Sequence, residues 1–217
     1  MSRKLLVIGA GPGIGLETAR RFAREGFEII LASRSPEKLA PQIATLTGEG
    51  AAVTTEILDA TNGAAVTALV ERYNGTIDTL LYNAAALRFG PTIDQIEAET
   101  LDTDIQLDLS SALRAIKAAL PGMAANGHGT ILLTGGTIAD TPHPAALTLS
   151  VGKSGLRTAA QALFEPLKAQ NIHIAVLTIG ATVKPESDTA REIAQAFWEM
   201  HASANTEWHW ERRYPLA

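Results

Sequence analysis

Residues 5–18 read L-L-V-I-G-A-G-P-G-I-G-L-E-T, and no other stretch restricts the fold as strongly. Four branched apolar residues, Leu5, Leu6, Val7 and Ile8, run into Gly9, Gly11, Gly13 and Gly15, after which the pattern turns helical without a break. That order describes a buried strand, a tight turn and a helix start. Glycine permits positive φ and close approach of a ligand, while the first N–H groups and the dipole of the helix favour a phosphate. The turn therefore predicts a nucleotide diphosphate held over Gly9, Gly11, Pro12, Gly13, Ile14 and Gly15. A ligand-free strand-to-helix turn would use glycines too, but four alternating glycines directly after a buried strand favour the nucleotide.

Beyond this stretch, apolar β-rich runs alternate with helical patterns over nearly the whole length, as in βαβ units of a parallel sheet covered on both faces. Strands are expected near 4–9, 28–33, 52–58, 77–82, 129–134, 172–178 and 206–212, and helices near 13–25, 36–46, 62–74, 101–120, 150–169 and 189–202. In the 101–120 helix Ile105, Leu109, Ala112, Leu113, Ile116 and Leu120 form a one-faced apolar stripe, which Pro121-Gly122 should end. The expected fold is a Rossmann-type doubly wound α/β domain of about seven strands. At 217 residues and 22.9 kDa, residues 1–217 suit one such domain.

A formal net charge of -5 with no basic block argues against nucleic acid or an anionic membrane as partner. No cysteine is present, so disulfides, thiolate metal sites and a cysteine nucleophile are excluded, and no metal site is expected. The apolar run after Lys4 is too short for a signal-peptide core and no segment reaches transmembrane length, which fits a cytoplasmic address.

Ligands of open parallel sheets bind at the carboxyl ends of the strands. The second strand ends Ala32-Ser33-Arg34-Ser35. A carboxylate there would accept from the ribose 2′-hydroxyl of NAD; Ser33, Arg34 and Ser35 favour the 2′-phosphate of NADP over NAD. Asp59 and Ala60 follow the third strand, where Asp59 or Thr61 would serve equally well as a helix cap. The fourth strand ends Tyr82-Asn83-Ala84-Ala85.

Together the Gly9-x-x-x-Gly13-x-Gly15 spacing, Asp59 and the Asn83-Ala84-Ala85 segment resemble the short-chain dehydrogenase/reductase family, from Lys4 to about Thr182. Asp59 then corresponds to an aspartate beside the adenine, and Asn83, Ala84 and Ala85 to a segment bordering the cofactor, with Tyr82 and Ala85 as departures. The resemblance also carries a catalytic signature, Tyr-x-x-x-Lys, in which tyrosine protonates the substrate oxygen and lysine holds the nicotinamide ribose. Here Leu149-Ser150-Val151-Gly152-Lys153 occupies that segment, so the lysine is present and the tyrosine is leucine. The family's serine falls at Gly136 and its helix asparagine at Asp108.

Hydride addition to a ketone leaves an alkoxide that needs an acid or hydrogen-bond donors, and Leu149 offers neither. His143, Thr137 and Asp108 are the candidate replacements, with Ser150 a hydroxyl that more naturally caps its helix. His143 between two prolines suits a rigid surface loop equally well. An iminium or activated-alkene substrate would relax the need for an acid at oxygen. Gly180 and Thr182, after the sixth strand, correspond to the segment bordering the nicotinamide, and few residues remain there for a lid. The resemblance implies an NADP(H)-dependent oxidoreductase on a small-molecule carbonyl, enone or imine, or a catalytically silent NADP-binding sensor of the same fold. It also implies a homodimer or homotetramer.

Overall fold

In a computed structural model that describes residues 3–215, the apolar runs form one parallel sheet. Its strands are β1 (Lys4–Ile8), β2 (Glu28–Ser33), β3 (Val53–Ile57), β4 (Ile77–Tyr82), β5 (Gly129–Thr134), β6 (Ile172–Ile179) and β7 (Glu211–Tyr214). They are ordered β3-β2-β1-β4-β5-β6-β7, with every neighbouring pair parallel. The strand order reverses between β1 and β4, which opens a crevice beyond their carboxyl ends.

Side-chain alternation along β1 supplies both halves of the core. Leu5 and Val7 pack with Phe22, Ile29, Leu31, Leu81 and Phe197 on the face covered by α1 (Ile14–Ala23), α2 (Ala40–Gly48) and α7 (Asp188–Ala202). Leu6 and Ile8 pack with Leu80, Tyr82, Ile116, Leu133 and Leu156 on the opposite face, under α3 (Gly63–Arg72), α5 (Ser111–Asn126) and α6 (Leu147–Lys168). The doubly wound α/β domain expected from the alternating pattern is therefore present.

Three elements differ from expectation. The 101–120 helix begins earlier, as α4 (Ala98–Ile105), widens into a π turn over Gln106–Ser110, and continues as α5. Within α5, Ala112 and Ile116 of the expected stripe are buried, whereas Leu113 is 41 % exposed. Pro121 does not end it: the helix runs on to Asn126 and stops at Gly127 in the left-handed conformation. An interior proline costs ~3 kcal/mol, but Pro121 is on the exposed face, so the Lys117 carbonyl that loses its helical donor is on the solvent side. The additional turn also buries Met123, worth about 2 kcal/mol.

The last strand is Glu211–Tyr214 rather than 206–212. Asn205–Glu207 form a short 3-10 turn, and the aromatic alternation that follows serves packing. Trp208 stacks on His173 with ring centroids 4.6 Å apart, and the Arg157 guanidinium lies 5.0 Å from the Trp210 ring centroid. Finally, α6 starts at Leu147, three residues before the expected Ser150.

Candidate active site

The glycine turn is shaped by close backbone packing. Gly9 has φ 88°, and a Cβ on it would lie 2.3 Å from the Ala84 nitrogen, so only glycine fits. Ile8 O accepts from the Asn83 and Ala84 N–H groups at 2.8 and 3.1 Å, and the Asn83 amide donates to Gly9 O at 2.9 Å. From Asn83 the connections cross the sheet: Thr134 Oγ1 donates to Asn83 Oδ1 at 2.9 Å, and Lys153 Nζ donates to Thr134 O at 2.7 Å. The turn and the lysine are thus parts of one rigid hydrogen-bonded frame.

Beside this frame lies a cleft of about 710 Å³. Of the expected residues, Gly11, Gly13, Ile14, Asn83, Ala85, Thr137, Lys153, Gly180 and Thr182 line it. Gly9, Pro12 and Gly15 are in the supporting turn, Ala84 packs against Gly9 from the end of β4, and Asp108 is on the π turn against Gly152; none of them is in the lining. His143 is also outside the lining; its Nδ1 accepts from the Ala145 N–H at 3.1 Å and caps a short turn at Pro144–Ala146. Leu87, Phe89, Ile138 and Val183 line the cleft without having been singled out from the sequence. They sit in aperiodic connections, where apolar residues in loop-like stretches were the available signal.

Ser33, Arg34, Ser35, Asp59 and Ala60 form a second group at the carboxyl ends of β2 and β3, outside this cleft. The Ser33 hydroxyl is buried without a hydrogen-bond partner. Asp59 Oδ1 accepts from Thr61 N–H at 3.0 Å and Thr61 Oγ1 at 2.8 Å. These bonds, with help from the Arg34 charge, hold the carboxyl below its ordinary range. Neither residue caps α3: Asn62 does, its Oδ1 accepting from Ala65 N–H at 3.0 Å.

Burial sets the electrostatics of the cleft wall. Lys153 is only 6 % exposed, and the loss of solvation brings its ammonium down to about 8, against a smaller opposing pull from Asp108. Asp108, on the π turn, is pushed up to about 6, chiefly by burial, while the Ala86 N–H and then Lys153 oppose that shift. Its Oδ1 accepts from Ala86 N–H at 2.6 Å and its Oδ2 is buried without a partner. Tyr82 explains the π turn: its hydroxyl donates to Leu107 O at 2.5 Å, satisfying a carbonyl in the widened helix. Ser150 is not the cap of α6; its hydroxyl donates to Ala146 O at 2.8 Å and accepts from His143 N–H at 3.2 Å.

Thr137 opens a short turn after β5 that is tied to the sheet edge through Asp140, which receives Arg213 at 2.7 Å. Leu149 presents an apolar side chain to the cleft one helical turn before Lys153. None of Tyr73, Tyr82 and Tyr214 lines the cleft. No helix among the described residues is long and apolar enough to cross a membrane.

Residues 3–195 match the family model described as short chain dehydrogenase. The chain is 29 % identical to dehydrogenase/reductase SDR family member 4 of Homo sapiens, over 81 % of this chain and 64 % of that protein, so it spans under two thirds of that relative's length. A short-chain dehydrogenase from Rhodopseudomonas palustris superposes with a TM-score of 0.89 at 27 % identity, covering 99 % of both chains. A metagenomic short-chain oxidoreductase crystallised in complex with NADP gives a TM-score of 0.89 at 22 % identity, over 100 % of this chain and 99 % of that one. With its glycine turn, parallel sheet and buried lysine, this chain belongs to the short-chain dehydrogenase family.

Proposed function

We propose that the protein is an NADP(H)-dependent oxidoreductase acting on a small organic carbonyl, enone or imine, with a proton donor other than tyrosine. The observation that carries this reading is Lys153, a buried ammonium on the cleft wall hydrogen-bonded into the same frame as the glycine turn. A nicotinamide dinucleotide fits the residues present. A Cβ on Gly11 would meet nothing within 4 Å, which leaves the backbone open to a diphosphate at the start of α1. The unpartnered Ser33 hydroxyl and Arg34 supply donors for a 2′-phosphate at the end of β2. Lys153 Nζ, with one proton committed to Thr134 O, keeps two for ribose and substrate.

The bound cofactor would supply hydride to substrate carbon. The protein's own residues then deal with the oxygen. Lys153 donates a proton from Nζ and recovers one from water, for which a value of about 8 is well matched to neutral pH. Thr137, which lines the same cleft, offers its hydroxyl to the developing oxyanion. Imine and enone substrates reduce the demand on these donors. A cytoplasmic homodimer or homotetramer completes the reading.

The competing reading, a catalytically silent NADP-binding protein, is favoured by Leu149, whose side chain fills the wall where an acid would be useful. Purified protein with NADPH and a panel of ketones, enones and cyclic imines separates the two. The enzyme reading expects NADPH oxidation that Lys153→Met abolishes and that declines as pH rises through about 8, where Nζ loses its proton. Tight NADPH binding with no oxidation on any substrate selects the silent reading.

A further inference from the structure

Leu87 and Phe89 are 75 % and 65 % exposed, although both line the cleft. Large apolar side chains left in water at a ligand cleft require a reason. Loose loop structure does not supply one, because the segment that carries them is fixed at three points. Ala86 N–H donates to Asp108 Oδ1 at 2.6 Å on the π turn. Arg88, between the two apolar residues, forms a two-bonded pair with the buried Asp104, at 2.8 and 3.2 Å. Asp104 is itself held by the Thr148 hydroxyl from α6 at 2.9 Å. Gly90 N–H donates to Ala145 O at 2.8 Å. Arg88 is therefore turned back onto α4, and the side chains that flank it stand out at the cleft mouth.

The surface they offer continues inward through Ile138, Leu149, Ile179 and Val183 to Lys153. On the facing side, residues 180–187 are the whole connection between β6 and α7. Arg88 of the loop is paired with Asp104 of α4, and among the described residues that line the cleft only Lys153 is charged.

We infer that Leu87 and Phe89 are specificity-determining residues that bind the long apolar body of the substrate, so that the preferred substrate carries an extended alkyl portion projecting out of the cleft. The inference rests on the proposed reading that the reacting carbon sits beside Lys153. Rim burial and reaction at the inner end are coupled only through the length of the ligand. Each added methylene that reaches the rim should then contribute by transfer from water, at most roughly fourfold in affinity.

A series of 2-alkanones from 2-butanone to 2-decanone tests this in the presence of NADPH, with kcat/KM measured by NADPH oxidation and affinity by calorimetric titration. The expected result is a rise of two- to fourfold per methylene over several carbons. In the double variant Leu87→Ser, Phe89→Ser the ratio of 2-decanone to 2-butanone should fall at least tenfold. A flat series in the unmodified protein, or an unchanged ratio in the variant, overturns the inference. So does sedimentation showing that the double variant dissociates an oligomer while the ratio holds, since the rim would then be a subunit contact. Chain-length-dependent binding without any NADPH oxidation would sustain the rim assignment and remove the enzyme reading, so the two fail separately.

Discussion

Asp108 lies directly over Gly152: a Cβ on residue 152 would sit 2.4 Å from Asp108 Cβ and 3.3 Å from its Oδ2. The π turn that holds Asp108 is fixed by Tyr82, and the helix residue after Gly152 is Lys153. Neither partner can withdraw without disturbing the cleft wall. Alanine in a helix interior is ordinarily favoured over glycine by about 1 kcal/mol, but overpacking of this kind costs roughly 1–3 kcal/mol. Gly152→Ala should therefore be net destabilising, lowering the calorimetric Tm by a few degrees and weakening NADPH binding through displacement of Lys153. A Tm equal to or above that of the parent would show that α6 yields freely.

The carboxyl of Asp108 is raised from its ordinary value of 3.8 to about 6. A raised folded-state value means that folding favours the protonated form. Its contribution is present below pH 3.8 and lost as pH rises through 6. At pH 8 the ionised, half-satisfied carboxylate therefore costs stability, on the order of 1–3 kcal/mol. Asp108→Asn keeps an acceptor for Ala86 N–H and removes that charge. Urea denaturation should show the variant more stable than the parent at pH 8 and close to it at pH 4.5; a loss of stability at pH 8 would mean that attraction to Lys153 outweighs burial.

The expected chemistry of this corner was legible in part. The glycine turn and the alternation of strands and helices follow from residue type and local order, whereas Lys153 was marked by the family resemblance and lines the cleft. What the sequence hid is what depends on neighbours remote in the chain. The π turn needs the Tyr82 hydroxyl, 25 positions away from the carbonyl it satisfies. The exposed rim needs the Arg88 pair with the buried Asp104 to anchor the segment between Leu87 and Phe89. Pro121 looks like a helix end because local rules penalise it, whereas Gly122 packs only once α5 lies against the 74–75 turn and Met123 only once it lies over Gly129 of β5.

In the proposed reading, cofactor choice rests on Ser33 and Arg34. A charge-assisted contact to phosphate is worth about 1.5–3 kcal/mol, or roughly ten- to a hundredfold in affinity. Arg34→Ala should raise the Kd for NADP by that factor and leave the Kd for NAD within about threefold, since the neutral ribose hydroxyl gains little from a guanidinium. Equal losses for both nucleotides in calorimetric titration would remove the basis for NADP.

At the amino ends of β4 and β5, His201 is packed among Phe22, Phe27 and Trp198 and shares Nδ1 with Thr130 Oγ1 at 3.0 Å and Thr79 Oγ1 at 3.2 Å. Burial lowers its value from 6.5 to about 4, the nearby Asp78 charge only partly opposing. The folded chain thus binds the neutral ring, and this stability is complete above pH 6.5 and lost as pH falls through 4. His173, also lowered by burial, acts in the same direction. Urea midpoints measured from pH 7.5 to 4.5 should fall more steeply for the parent than for His201→Gln. Parallel slopes would place the acid sensitivity elsewhere.

The most direct chemical test is to return a phenol to the cleft. Leu149 is four residues before Lys153, so the two side chains share one face of α6, and both line the cleft. In Leu149→Tyr the hydroxyl would stand beside the ammonium, whose charge favours the ionised phenol and lowers its pKa toward the working range. A positioned acid is worth roughly 10²–10⁴-fold. If the unmodified protein lacks turnover only for want of that acid, the variant should oxidise NADPH with simple ketones at least tenfold faster. If Lys153 already serves as the donor, the gain should be smaller and the decline near pH 8 should move, because the phenol now titrates in the same step. No change in either rate or pH profile would mean that the substrate oxygen does not lie beside this face of α6, and the assignment of Lys153 as donor would fall with it.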